Sequence, residues 1–258
     1  IEFGSTALAG YRSNNLEESL KEPKFDLTME YCPNCNFVKY KEQKGVDEIL
    51  RKMYELHENT YLLSELILKY IDDLSDDLIE EFKLNSKSKT LEIGCNDGSL
   101  LYSIRNKTKS KVFGIEPSKQ FSEIWKKREL NIVNDFFSED IVSKLDKSFD
   151  LIILRHVLEH ISDVSTILEN ISKIMNEESV LIIEVPYFPT VLKNKRIENT
   201  GYSHLNYFSI KSMSEILSKF VHSFSYIVRV LTALKGRRTA VPPLGSPPTP
   251  RTAESINK

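Results

Sequence analysis

Hydrophobic and polar positions divide the chain into stretches of different period, and those periods predict its architecture. Across Val46 to Phe82, apolar side chains return at helical spacing, at Ile49, Met53 and Leu56 and then at Leu62, Leu63, Leu66, Ile67 and Tyr70. That is the stripe of a helix with one buried face, so the spacing predicts a long helical region that packs beside a sheet or lids it. From residue 90 the pattern changes. Short apolar runs at Thr90–Gly94, Lys111–Glu116, Ile132–Val133, Asp150–Leu154 and Ser179–Val185 alternate with amphipathic stretches at Leu100–Ile104, Lys119–Glu129, Glu139–Leu145 and Val164–Met175. Such alternation predicts a mostly parallel sheet covered by helices on both faces, an α/β three-layer sandwich. Ile210–Phe220 continues the series as a helix and Phe224–Leu231 as a sixth strand, while no seventh strand is legible.

The two ends break the pattern. Ile1–Ser5 reads like a remnant of a cloning site and is set aside from the fold. From Gly236 onward the chain carries half of all its prolines, which neither complete a helix nor donate to a sheet, so 236–258 is expected to be a disordered, foreign-looking tail. The resulting divisions are 1–45, a helical region at 46–85, a ligand-binding core at 86–235, and the tail.

Composition narrows the function classes. The 258 residues allow one substantial core with attachments. Lys and Arg number 35 against 37 Asp and Glu, a formal charge of -2, so no global field draws the protein to nucleic acid or to an anionic membrane. No apolar run approaches the ~18 residues that span a bilayer, and the N-terminus lacks signal-peptide character. The expectation is a cytoplasmic protein that binds a small molecule. Three cysteines, two of them in Cys32-Pro33-Asn34-Cys35, do not make a disulfide framework.

The central chemical signal is Leu91-Glu-Ile-Gly-Cys-Asn-Asp-Gly-Ser-Leu-Leu, a strand, loop and helix in which Gly94 and Gly98 let the backbone turn and approach a ligand closely. Glu92 and Asn96 belong to the same unit. The Gly-x-x-x-Gly spacing behind an acidic strand residue differs from the Gly-x-Gly-x-x-Gly of dinucleotide binders, which favours S-adenosylmethionine over NAD. Glu116 ends the next strand, where a carboxylate can accept hydrogen bonds from both ribose hydroxyls. Asp135 is placed to meet the adenine amino group, with Phe136 as an apolar face against the ring. Arg155 and His156 open the fourth-strand segment Arg-His-Val-Leu-Glu-His. His160 either pairs with Asp163 on a helix face or stands near the substrate.

In this order the motifs resemble the class I S-adenosylmethionine-dependent methyltransferases, and within them the sugar C-methyltransferases of deoxysugar pathways. The resemblance runs from about Ala7 to Ser225. It rests on Glu92 to Leu101, His156 to Asp163, Glu184 to Tyr187 (Glu-Val-Pro-Tyr) and His204 to Ser209 (His-Leu-Asn-Tyr-Phe-Ser). It implies a Rossmann-like fold, methyl transfer to carbon on a nucleotide-linked keto-sugar, and His204 as the general base that removes a proton beside the ketone. The family's Tyr-His-Glu-His cluster corresponds here to Gly201, Tyr202, Ser203 and His204, so only the last histidine is retained. His204 is otherwise a loop residue capping the helix that follows.

The same resemblance makes residues 1–45 the remnant of a zinc module. Cys32 and Cys35 match its second cysteine pair; the first pair is missing, and Cys95 belongs to the glycine loop. Tetrahedral zinc takes four ligands, so zinc is expected in the full-length protein and not as the family holds it here. The family's C-terminal domain is absent too, which makes the chain look like a fragment. O- or N-methylation of another small metabolite, a cofactor-binding module without turnover, and an NAD-dependent oxidoreductase are the competing functions.

Overall fold

The computed structural model describes residues 2–7, 15–145, 148–195, 203–220 and 225–231. The apolar runs form the strands β4 (Lys89–Ile93), β5 (Lys111–Ile115), β6 (Asn131–Val133), β7 (Leu151–Arg155), β8 (Val180–Pro186) and β10 (Ser225–Leu231). They make one sheet in the order β10-β8-β7-β4-β5-β6, with every pairing parallel. Strand order reverses between β4 and β7. In open sheets of this kind ligands bind beyond the carboxyl ends of the strands at that switch point, and the glycine loop and the Arg155–His160 segment both leave the sheet there.

Strand periodicity assigns alternate side chains to two cores. Leu151 and Ile153 of β7 and Ile182 of β8 pack with Ile71, Leu74 and Leu78 of α3 (Glu65–Phe82) and with Leu100, Leu101 and Ile104 of α4 (Ser99–Thr108). Ile152 and Leu154, with Leu181, Ile183 and Val185, face the other way. They meet α6 (Glu139–Lys144), α7 (Val164–Ser172) and α9 (Ile210–Leu217) through Ile141, Val142, Leu168, Ile171, Met213 and Leu217. Each fully buried Leu or Ile stabilises the fold by about 1.5–3 kcal/mol, so the sheet is held from both sides as a rigid base. No helix among the described residues is long and apolar enough to cross a membrane.

The helical region departs from its prediction. It is two helices, α2 (Val46–Glu55) and α3, joined by a segment with a single 3₁₀ turn at Tyr61–Leu63. Thr60 and Ser64 break the run by accepting hydrogen bonds from the Leu62 and Ile67 amides, as N-caps do. Part of the apolar stripe is consequently not a buried face: Leu63 is 84% and Leu66 79% exposed. The two expected roles are divided, with α3 packing beside the sheet and α2 standing over the crevice.

A second, antiparallel sheet runs β1 (Glu2–Ala7), β2 (Lys24–Tyr31), β3 (Val38–Tyr40), β9 (Asn206–Tyr207). Residues 2–5, set aside above, thus form part of a strand paired with β2. Gly201, Tyr202 and the Pro-rich tail at 236–258 lie outside the described residues.

Candidate active site

Beyond the carboxyl ends of the parallel strands lies a cavity of about 660 Å³, within the range that holds a nucleoside-sized ligand. Gly94, Asn96, Glu116, Asp135, Phe136, Arg155, His156 and His160 line it, together with Arg51 and Tyr54 of α2 and His57 and Tyr61 of the connecting segment. Seven of the nine residues assigned to the cofactor from sequence therefore meet at one cavity; Glu92 and Gly98 stand behind it.

The β4–β5 side is built from backbone. Gly94 has φ +72°, and a Cβ there would lie 2.5 Å from a Val157 methyl; Gly98 has φ +73°, with the Leu130 side chain equally close. Glu116 is buried, yet its two oxygens accept hydrogen bonds from the Asn96 and Ser118 amides, each 2.9 Å long. Burial raises its pKa, and those two amides oppose the rise. The Asn96 side chain accepts from the Asp97 amide (2.7 Å) and donates to the Asn59 carbonyl (3.1 Å), so it ties the loop together. Asp97, not singled out from sequence, is fully buried. It accepts from the Ser99 amide (3.0 Å) at the start of α4 and from the Tyr61 amide (2.8 Å) of the connecting segment. Asp135 is exposed and accepts from the Phe136 amide, and the Arg51 guanidinium sits 4.0 Å over the Phe136 ring. One face of the ring expected to meet adenine is thus taken by arginine.

The β7–β8 side is built from charge. Arg155 is buried, 3.2 Å from Glu184 and 3.9 Å from Glu92, and Tyr70 donates to Glu184 at 2.9 Å. Burial pushes the Glu92 carboxyl up to about 8 despite the Arg155 charge. Glu184 goes the other way: burial opposes its ionisation, but His156 and Arg155 hold it down to about 2. His156, at φ 54°, places its two ring nitrogens 3.3 Å from Glu159 and 3.4 Å from Glu184. Burial disfavours its charge, and the two carboxylates outweigh that and push it up to about 9. Both ring nitrogens of His156 thus face carboxylates, which favours its charged form.

His204 reaches this site through the second sheet. The Leu205 amide donates to the Glu159 carbonyl (2.6 Å), and the Asn206 side chain donates to the carbonyls of Leu158 (3.0 Å) and Ile161 (2.5 Å). β9 is thereby clamped onto the turn that carries His160. The two imidazoles stack edge-on with centroids 4.8 Å apart, and Tyr54 packs on His160 at 5.1 Å. His160 lines the cavity, and its partner is not Asp163. Its Nδ1 bonds the Ser203 carbonyl, while Asp163 caps α7 through Thr166. The cap of α9 is a Ser209–Ser212 box. His160 lines the cavity and His204 stands behind it. Tyr54 was not found from sequence because its contact with His160 joins elements far apart in the chain; Glu159 was passed over although its partners His156 and His160 are its sequence neighbours.

Cys32 and Cys35 sit in a tight turn closed by the Asn36 amide on the Cys32 carbonyl (2.9 Å). A backbone hydrogen bond and the Cys35 thiol lower the Cys32 pKa, while burial and Cys32 raise that of Cys35. Among the described residues they belong to no group of three metal-ligating side chains.

Residues 58–220 match the family model described as "Methyltransferase domain". The C-methyltransferase NovU of Streptomyces niveus is 24% identical over 218 residues, covering 83% of this chain and 50% of that protein. The ubiquinone biosynthesis O-methyltransferase of Pelagibacter ubique is 28% identical over 120 residues, 43% of this chain and 49% of that one. A solved SAM-dependent methyltransferase from Archaeoglobus fulgidus superposes with a TM-score of 0.48 at 19% identity, over 58% of this chain and 68% of that one. The chain spans about half the length of the curated relatives it matches.

Proposed function

The chain belongs to the methyltransferase-domain family, and from that premise we propose that it is an S-adenosylmethionine-dependent methyltransferase acting on carbon in a nucleotide-linked keto-deoxysugar. The observation that carries this reading is the meeting, at one cavity, of the glycine loop with the His156 and His160 imidazoles, His204 being packed behind His160. Glu116, Gly94 and Asp135 would hold the nucleoside part of the cofactor, whose sulfonium supplies an activated methyl group when bound.

The remaining work falls to the chain's own residues. A carbon beside a ketone is acidic because its anion delocalises as an enolate; His204 is the base that the resemblance implies, and its imidazole must turn past His160 to reach that proton. His160 stands between His204 and the cavity. The His156 imidazolium brings fixed positive charge towards the enolate, a preorganised form of electrostatic stabilisation. α2 and the His57–Tyr61 segment exclude water from above.

Methyl transfer from isotopically labelled cofactor to nucleotide-linked 4-keto-sugars tests the proposal, with the new bond located in the product. Labelled carbon beside the former ketone supports it. Methylation of oxygen or nitrogen alone would establish the second reading, which the O-methyltransferase relative favours. Loss of transfer in His160→Ala but not in His204→Ala would pass the base to His160. Zinc in the full-length protein, through Cys32, Cys35 and ligands outside this chain, is a separate part of the proposal, tested by metal content.

A further inference from the structure

Among the described residues one cluster has the composition of a metal site: Glu159, His160 and His204, whose ligand atoms all lie within 4.8 Å of one another. Glu159 is 1% exposed, and its Oε2 has no hydrogen-bond partner. A buried carboxylate oxygen left unsatisfied is destabilising, so the fold tolerates here a group that calls for a cation or a donor. The Tyr54 hydroxyl, on the ring packed against His160, is buried and unpartnered as well.

The orientation of His160 fits a ligand. Its Nδ1 bonds the Ser203 carbonyl and its Nε2 faces Glu159 at 4.0 Å, the arrangement in which a backbone carbonyl fixes the tautomer and leaves the other nitrogen bare for a metal. The Leu205 and Asn206 clamps hold β9 and the 158–161 turn together, so the ligands from two distant segments are supported by the backbone. Bonds of about 2.0–2.2 Å to a common ion require the three groups to draw together, chiefly by rotation of the half-buried His204 side chain. Because His160 and Tyr54 line the cavity, the fourth position opens towards it.

We propose that Glu159, His160 and His204 form a three-ligand site for a divalent transition metal of the zinc type, and that its occupancy withdraws His204 from proton transfer. Two imidazoles and one carboxylate suit zinc, cobalt or nickel, whereas magnesium and calcium take oxygen ligands. The second clause rests on the base assigned above: a nitrogen lone pair bound to metal cannot accept a proton. Metal would therefore inhibit transfer by a group already at the site.

The test uses the chain with Cys32→Ser and Cys35→Ser, which removes competing thiols, titrated with zinc in a calorimeter and with cobalt by visible absorption. Saturable one-to-one binding is expected, with the weak bands of nitrogen and oxygen coordination and no thiolate charge transfer. Affinity should fall by at least ~10-fold in His204→Ala and in Glu159→Gln, a near-isosteric change whose folding is checked by thermal unfolding. No saturable binding, or binding indifferent to both substitutions, overturns the site. If metal binds but leaves labelled methyl transfer unchanged at saturation, the site stands and the inhibitory clause falls. If His204→Ala abolishes transfer and no metal binds, the base stands and the site falls.

Discussion

The two sides of the crevice solve the same problem, holding polar groups out of water, by opposite means. On the β4–β5 side the carboxylates of Asp97 and Glu116 are satisfied chiefly by backbone amides, at Ser99, Tyr61, Asn96 and Ser118. On the β7–β8 side Arg155, His156, Glu159 and Glu184, joined by Glu92 from β4, satisfy one another, and atoms of Glu92, Arg155 and Glu159 remain without a hydrogen bond. A loop fixed by its own amides is a preformed cradle that titration of neighbouring side chains does not unmake. A network of side-chain charges is adjustable and incomplete, which suits a surface that must respond to an acceptor during a reaction. On the proposed function, the difference separates a binding half from a reacting half.

The sharpest way to break that comparison is His204→Ala. Removal of a general base is expected to lower methyl transfer by about 10²–10⁴-fold, while affinity for S-adenosylhomocysteine, measured by calorimetry, stays at the wild-type value. Equal loss of both would mean that the halves are not separable. Arg155→Met comes next. It leaves Glu184 and Glu92 buried without their shared cation, and breaking a buried pair by removing one partner destabilises by about 3–5 kcal/mol. Urea unfolding measures the change, and the lower end is expected because Glu92 already tends towards its neutral form. Lys126→Ala, which breaks an exposed 2.7 Å pair with Glu123, should change stability by no more than ~1 kcal/mol in the same assay.

Glu116→Ala sharpens the comparison from the other side. Loss of a charged hydrogen-bonding group should weaken cofactor binding by about 1.5–3 kcal/mol, a factor of roughly ten to a hundred and fifty, read by the same calorimetric titration. The position of Glu116 was legible because it follows from strand order: the residue that ends the second strand of the parallel set faces the crevice wherever the fold is formed. The sheet, its parallel sense and both glycines were legible for the same reason, since period and local turn chemistry determine them. Asp97 left a weaker trace. An aspartate two residues before a helical serine is a capping signal, but its partner at Tyr61 lies in a segment whose apolar spacing suggested unbroken helix. Glu159 left its trace in the Arg-His-Val-Leu-Glu-His segment, between the two histidines it meets; Tyr54 left none, because its contact with His160 is made by elements that meet only in the folded chain. The second sheet was equally hidden, since β9 is two residues long and its pairing with β3 joins positions 38–39 to 206–207.

A last expected effect distinguishes the two sides by acid. Glu184 is held at about 2 in the folded protein against an ordinary 4.5, and burial, the largest influence on it, works against this. The depression therefore comes from His156, Arg155 and the Tyr70 hydroxyl, the charge network itself. A carboxyl whose folded pKa lies below its unfolded one contributes stability that is fully present above the unfolded value and is lost as pH falls through the folded one. Wild-type stability should accordingly decline between about pH 4.5 and pH 2 with a component that Glu184→Gln lacks, so the variant, though less stable at neutral pH, should show the shallower acid limb in unfolding series measured at stepped pH. Identical slopes would mean that Glu184 is not held down by its neighbours, and the contrast between a side satisfied by amides and a side satisfied by charges would lose its electrostatic basis.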